Sequence, residues 1–154
     1  MTWEDKDLLF KELSTRHPYG VKLQVRLDYG DNSHKEGIYD AEIDAITSYN
    51  IEVTYYDTNM GGKARDWTFM YEEVKPYLRP MSSMTREELH EVQEILGKGV
   101  EIREDFILSV DSSINSFTYL ELIAVFNWLN AHHFDYIGLL KKGLAIEAPK
   151  EMYN

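Results

Sequence analysis

The strongest constraint on the fold is an alternation of apolar and polar residues in the first half of the chain. Over residues 21–28 every odd position is apolar and every even position is polar. Residues 38–46 alternate in the same way, with Asp40, Glu42 and Asp44 at polar positions. A period of two places successive side chains on opposite faces of a strand. The pattern therefore predicts half-buried strands, followed by further strands at 51–56 and 65–70 and a short edge strand at 74–78.

The three acidic residues of the second strand predict how it pairs with the first. If the loop at residues 30–37 is symmetric, Arg26 lies opposite Asp40 and Lys22 lies opposite Asp44. Opposite charges placed across two strands stabilise their pairing. We therefore interpret Asp40, Glu42 and Asp44 as an outer face of ion pairs. Paired carboxylates for metal-assisted or acid–base chemistry are the alternative interpretation.

Three helices are predicted by one signal, a threonine followed three residues later by an acidic residue that can return a hydrogen bond to the cap. These pairs are Thr2 with Asp5, Thr85 with Glu88, and Thr118 with Glu121. The first helix is expected at residues 3–15 and ends before Pro18, because the residue preceding proline avoids helical dihedral angles. The second is expected at residues 86–96, with Gly97 as its stop.

The third helix, which begins at residue 119, is apolar around nearly its whole circumference. Its apolar side chains are Tyr119, Leu120, Leu122, Ile123, Val125, Phe126, Trp128 and Leu129. Such a helix is buried on most sides, by its own fold or by a partner. It would also suit a helical dimer interface, so a homo-oligomer is left open.

These elements predict an α+β protein with two parts. One helix followed by four or five short strands in roughly sixty residues is typical of a small antiparallel barrel. Residues 1–80 are therefore expected to form an N-terminal helix and a small SH3-like or Sm-like β-barrel. Residues 81–154 are expected to form a mostly helical C-terminal half packed on it, with the joint at residues 79–83.

Composition excludes several classes of function. The chain has no cysteine, which excludes disulfides, zinc ribbons, iron–sulfur clusters and cysteine nucleophiles. Its net charge is −11, which opposes binding to phosphate backbones. The N-terminus carries charges where a signal peptide would be apolar, and no apolar stretch approaches the roughly 20 residues of a membrane span. We therefore expect a cytoplasmic protein that binds neither a membrane nor nucleic acid.

The aromatic residues are the main candidates for a binding surface. The chain contains 11 tyrosines, 6 phenylalanines and 3 tryptophans, and many lie in the strand region beside acidic residues. Amphipathic rings either fill the interior of a small barrel or make an exposed contact surface. The candidate binding residues are Tyr29, Tyr39, Tyr55, Tyr56 and Trp67. Acidic neighbours favour a protein partner over a nucleic acid.

A second candidate site follows the third helix directly. His132, His133 and Asp135 provide two imidazoles and a carboxylate, which could hold a divalent metal. Adjacent residues at a helix end diverge by about 100 degrees, which makes it difficult for both histidines to face one ion. Histidines at a helix C-terminus interact favourably with the helix dipole, and this explains the cluster more simply. No motif for any other cofactor is present, and none is expected.

Two stretches carry a family resemblance. Residues 73–85 read EVKPYLRPMSSMT, and residues 126–136 read FNWLNAHHFDY, followed by the tail at residues 143–153. They resemble an uncharacterised protein family of Bacteroidetes phages and mobile elements, over most of the chain after residue 17. The resemblance implies an intracellular accessory protein of a mobile element. That family has no assigned activity, so it assigns no role to any residue here.

The functional expectation is a non-enzymatic interaction protein that binds a protein partner through an aromatic, acidic surface. Two alternatives belong to other classes. One is a small barrel that binds nucleic acid, and the other is a metal-dependent enzyme that uses His132, His133 and Asp135.

Overall fold

The computed structural model shows an α+β protein with an N-terminal helix and an open β-sheet. The structure describes residues 1–28, 35–57, 62–97, 100–103, 106–109 and 117–153, and for residues 100–103 and 106–109 it describes the backbone. The chain divides into two compact units. Unit 1 comprises Met1–Tyr77 with Gly143–Ile146, and unit 2 comprises Leu78–Lys142 with Glu147–Asn154. The chain first passes from unit 1 to unit 2 between Tyr77 and Leu78, close to the joint predicted at residues 79–83.

Unit 1 consists of one helix and a run of antiparallel strands. Its elements are α1 (Trp3–Arg16), a 3₁₀ turn (His17–Tyr19), β1 (Lys22–Leu27), β2 (Gly37–Ile46), β3 (Asn50–Asp57), β4 (Lys63–Met70), a second 3₁₀ turn (Tyr71–Glu73), and the first part of β5 (Val74–Pro80). The strands lie in the order β4-β3-β2-β1-β5, and each pair in this series is antiparallel.

The first helix forms as its capping signal predicts. Thr2 Oγ1 accepts a hydrogen bond from the Asp5 amide at 3.1 Å, and Asp5 Oδ2 accepts one from the Thr2 amide at 3.0 Å. Leu9 and Leu13, one turn apart, are fully buried where the helix contacts β2 and the second 3₁₀ turn. Burial of this apolar stripe supplies most of the stability of a short helix.

The predicted pairing of the first two strands is wrong by two residues. Lys22 lies opposite Glu42 and Gln24 lies opposite Asp40, because β2 begins at Gly37, opposite Leu27. A shift of two keeps every side chain on its face, so the acidic row still lies on the outer face. Core packing decides the register, since the small side chain of Ala41 lies between the bulky residues opposite it on β1 and β3. Cross-strand charge pairs contribute less than this burial.

The prediction of a closed barrel is also wrong, because the sheet is open. Closure requires the two outer strands to pair with each other. Within the described residues β4 pairs with β3 alone, and the last residues of β5, which belong to unit 2, pair in parallel with another strand of that unit. Phe69 is the one fully buried residue of β4. This strand therefore does not curl over the core as a barrel strand would.

Unit 2 is mixed rather than mostly helical. Its elements are a 3₁₀ turn (Met81–Ser83), α2 (Arg86–Leu96), β6 (Val100–Arg103), β7 (Phe106–Ser109), α3 (Tyr119–Ala131) and β8 (Phe134–Asp135). The last strand, β9 (Ile146–Glu147), has one residue in each unit and pairs with β5. Strands β6 and β7 form a hairpin, and β8 pairs with the end of β5. The two capping boxes predicted for this part of the chain, at Thr85 and Thr118, are confirmed. The core of this unit is formed by Met81, Val92, Leu96, Val125, Leu129 and Phe134. In the described part of the chain, no helix is both long enough and apolar enough to cross a bilayer.

Tyr71 provides a stability prediction for unit 1. Its hydroxyl donates to the Thr47 carbonyl at 2.6 Å, and burial raises the pKa of Tyr71 from the usual 10.0 to about 12. Because the folded-state pKa is the higher one, this contribution to stability is complete below pH 10.0 and is lost as the pH rises towards about 12. Tyr71→Phe should lower the free energy of unfolding by about 1 kcal/mol at pH 7 and weaken this alkaline decline. Urea unfolding measured between pH 7 and pH 11 tests both effects.

The matched control is Tyr49→Phe, because Tyr49 is well exposed. It should leave both the stability and its pH dependence unchanged. An alkaline decline of the same size in Tyr71→Phe as in the unaltered chain would contradict the assignment.

Candidate functional site

The candidate site is a shallow depression of about 480 Å³ on the outer face of the sheet in unit 1. It is lined by acidic and hydroxyl side chains from three strands, together with parts of Val53 and Trp67. The acidic and hydroxyl residues are Asp44, Glu52, Thr54, Asp66 and Thr68. We call these five residues the acidic sheet face. Glu52 and Thr54 alternate along β3 with buried residues, and Thr68 and Asp66 lie directly opposite them on β4.

A single hydroxyl lies between two carboxylates at the centre of this face. Thr54 Oγ1 is 2.9 Å from Asp44 Oδ2 and 3.1 Å from Asp66 Oδ1. A hydroxyl has one proton to donate, so it can satisfy only one of the two carboxylates at a time. The two carboxylates therefore lie within about 6 Å of each other, a separation at which like charges interact appreciably.

An irregularity in β2 brings Asp44 to this position. The pairing register between β2 and β3 shifts between Ile43 and Ala45, which leaves Asp44 as the extra residue. A bulge of this kind redirects a side chain and increases the local twist. In the described part of the chain, no lysine or arginine forms an ion pair with Asp44, Glu52 or Asp66. The acidic sheet face is thus a local excess of negative charge.

The other acidic residues of the row are engaged differently. Tyr77 donates its hydroxyl proton to Asp40 Oδ1 at 2.7 Å and accepts a hydrogen bond from Gln24 Nε2 at 3.1 Å. Burial and the hydrogen bond to Asp40 raise the pKa of Tyr77, while the bond from Gln24 opposes this shift. Glu42 lies opposite Lys22 across the strand pair. Asp44 is therefore the member of the predicted row that belongs to the acidic sheet face.

The aromatic residues predicted to bind a partner are separated by the structure. Tyr39 and Tyr55 are buried, and their ring centroids are 4.8 Å apart. Tyr56 is 53% exposed and follows Thr54 on the outer row of β3, and Trp67 is half-buried beside the depression. Tyr29 lies outside the described residues. Tyr56 is therefore the predicted residue that the structure places beside the acidic sheet face, whereas Trp67 lies opposite Val53, on the other face of the sheet.

The first histidine of the candidate metal site packs against the helix that precedes it. His132 stacks on Trp128, with ring centroids 3.9 Å apart, and its Nδ1 lies 2.9 Å from the Trp128 carbonyl oxygen. Trp128 in turn donates its indole proton to Glu91 at 3.0 Å. The imidazole is therefore held as a packing and capping group at the end of α3.

The other two candidate ligands are also engaged by the chain itself. His133 is buried, adopts a positive φ of 58°, and stacks on Tyr153 with ring centroids 3.8 Å apart. Asp135 accepts hydrogen bonds from the backbone amides of Leu139 and Leu140, each at 2.8 Å. In the described residues, no group of three histidine, cysteine or acidic side chains could hold a metal ion. This geometry gives the metal hypothesis no support.

Glu52, Thr54 and Asp66 were not among the residues predicted to form a site. Their signal was present, because Glu52 and Thr54 are polar residues at alternate positions of a predicted strand. What was missing was the register of β3 with β4, which brings Asp66 beside them. Comparisons with protein-family models, curated proteins and solved structures found no match to this chain.

Proposed function

We propose that this chain is a protein-binding module whose acidic sheet face receives a basic segment of a partner. The observation that carries the proposal is the pair of carboxylates, Asp44 and Asp66, around one threonine hydroxyl. A lysine or arginine of a partner would supply the positive charge and the hydrogen-bond donors that these groups lack. Tyr56 provides an exposed aromatic contact on the same row of β3.

A binding role accounts for the candidate residues better than a catalytic one. His132, His133 and Asp135 stack on aromatic rings or accept backbone hydrogen bonds. Groups held in this way stabilise a fold and are poorly placed to turn towards a substrate. The family resemblance supports placing this binding role in a phage or mobile element as an accessory function.

A protein is favoured over a nucleic acid by charge. The whole chain has a net charge of −11, and the acidic sheet face would repel a phosphate backbone. A basic protein surface is attracted by the same charges, which increase the rate of association as well as specificity. Binding of nucleic acid becomes one outcome of the test below.

The test neutralises the acidic sheet face without changing side-chain size. The triple variant Asp44→Asn, Glu52→Gln, Asp66→Asn removes three negative charges from exposed positions. Tagged wild-type and variant chains are incubated with lysate from a Bacteroidetes host, with and without nuclease, and retained proteins are quantified by mass spectrometry. We expect a nuclease-resistant partner whose recovery by the triple variant falls at least about tenfold, since each buried charged contact contributes on the order of 1.5–3 kcal/mol.

The matched control is Glu4→Gln, Glu87→Gln, Glu147→Gln, which removes the same charge from exposed positions elsewhere. It should retain the partner as the wild type does. Equal recovery by the triple variant would contradict the proposed surface. Recovery that disappears with nuclease would favour the nucleic-acid alternative instead.

A further inference from the structure

We infer that α3 carries a second interface, through which two copies of this chain associate as a symmetric dimer. The surface consists of exposed apolar residues on the first two turns of the helix. Its residues, which we call the α3 face, are Tyr119, Leu120, Leu122, Ile123 and Phe126. This inference is independent of the acidic sheet face, which belongs to unit 1, whereas α3 belongs to unit 2.

The α3 face is additional to the surface that anchors the helix in its own unit. Val125 and Leu129 lie next to the α3 face on the helix, and both are buried in the core of unit 2. Tyr119 and Leu120 are nevertheless 77% and 76% exposed. An isolated exposed leucine or tyrosine is ordinary, but a contiguous patch of large apolar side chains marks an interaction site.

Charge is absent from this surface in a chain that is otherwise rich in it. Charged residues make up 28% of the protein, yet Glu121 is the single charged residue between positions 117 and 131. Its carboxylate is turned to the helix start, where it accepts a hydrogen bond from the Thr118 amide at 2.6 Å. The α3 face can therefore lose its water without burying an ion.

The area of the surface matches a weak dimer. The exposed parts of the five side chains amount to on the order of 500 Å² per copy, so a symmetric pair would bury roughly 1,000 Å², the lower limit for a specific interface. Two chains that each carry a charge of −11 repel one another over most of their surface. An uncharged patch is the place where such copies can meet at least cost.

The order of residues along α3 suits a two-fold axis. A symmetric interface pairs each residue with one at the mirrored position in the partner. With the axis beside Leu122 and Ile123, antiparallel packing would bring Tyr119 of one copy towards Phe126 of the partner subunit. Large apolar side chains would then meet along the whole α3 face.

Sedimentation equilibrium of the full chain at several concentrations tests the proposal. The wild type should dimerise with a dissociation constant on the order of 10 μM, and the dimer should strengthen as salt screens the repulsion between copies. Leu120→Glu places a charge on an exposed position of the α3 face and should raise the dissociation constant at least about tenfold. Met70→Glu makes a similar change at an exposed apolar residue of unit 1 and should have no effect.

The outcomes separate this inference from the proposed function. The triple variant of the acidic sheet face should dimerise as the wild type does, so either idea can fail alone. A wild type that stays monomeric up to about 1 mM would overturn the inference. Binding of an apolar dye by that monomer would indicate a different protein as the occupant, and no dye binding would indicate coverage by the chain itself. Dimerisation that Leu120→Glu leaves intact would also overturn the assignment to α3.

Discussion

Replacing Phe134 with alanine is expected to lower the free energy of unfolding by about 3–5 kcal/mol. Phe134 is fully buried in β8, and its ring lies 5.8 Å from the Trp128 ring, centroid to centroid. Arg79, on β5, has its guanidinium carbon 4.2 Å from the centroid of the Phe134 ring. Truncation therefore removes buried apolar area, an aromatic contact and a cation–π contact together, and it leaves a cavity in the core of unit 2.

Phe126→Ala is the matched control for this substitution. It makes the same chemical change at a residue that is 44% exposed. Its effect should be smaller than that of Phe134→Ala, because the Phe126 ring is only partly buried, where it packs against Tyr136 with ring centroids 5.3 Å apart. Urea unfolding followed by circular dichroism, at a concentration where the chain is monomeric, compares the two. Equal losses would show that β8 is not part of the core.

Glu88→Gln is expected to lower the free energy of unfolding by about 2–3 kcal/mol at neutral pH. Glu88 and Arg79 form a two-point ion pair, with N–O distances of 2.6 and 2.9 Å, and both side chains are mostly buried. The same carboxylate accepts the Thr85 amide at 2.8 Å, which completes the capping box of α2. The substitution thus weakens an ion pair and a helix cap at once.

The effect of Glu88→Gln should depend on pH in a defined direction. Burial acts to raise the pKa of Glu88, but hydrogen bonds from Arg79 and Thr85 outweigh it and hold the pKa below the usual 4.5 of a glutamate. The stabilising contribution is therefore present above pH 4.5 and is lost as the pH falls through the lower folded-state pKa. Unfolding curves between pH 3 and pH 8 should show wild type and variant converging at the acid end.

Glu94→Gln is the control for this pH dependence. Glu94 also lies on α2, but its side chain is largely exposed, with His90 Nε2 3.5 Å from its carboxylate. Glu94→Gln should leave the pH dependence of the free energy of unfolding essentially unchanged, because most exposed ion pairs contribute little to stability. A constant difference between wild type and Glu88→Gln across the whole pH range would contradict the role of the ion pair.

The helix starts were predictable from the sequence because their signals are local. Each of the three capping boxes needs two residues three positions apart, and each forms in the structure at Thr2, Thr85 and Thr118. Hydrogen bonds within one turn do not depend on the rest of the fold. The same holds for the faces of β1 and β2, which follow from alternation alone.

Strand register and closure were not predictable, because they depend on packing between distant segments. A symmetric loop would have placed Lys22 opposite Asp44, whereas Lys22 lies opposite Glu42. Closure of the sheet would have required contacts of β4 that no local pattern specifies. The parallel pairing of the end of β5 with β8 joins segments more than fifty residues apart.

The burial of two tyrosines follows from the alternation of apolar and polar residues. Tyr39, like Ala41, has an odd residue number in β2, so it lies on the opposite face of the sheet from Asp40. Tyr55 lies on the same face of β3 as Val53. Their parity therefore predicts burial, which is what the structure shows. Tyr56 has the opposite parity and is exposed.

The salt dependence of partner binding shows whether the acidic sheet face is the binding surface. The partner recovered with the tagged chain is titrated against wild type and against the Asp44→Asn, Glu52→Gln, Asp66→Asn variant at increasing salt concentrations. If the acidic sheet face receives a basic segment, wild-type affinity falls as salt rises, and the variant binds weakly with a much flatter dependence. Equal affinities and equal salt dependence for the two proteins would contradict the claim.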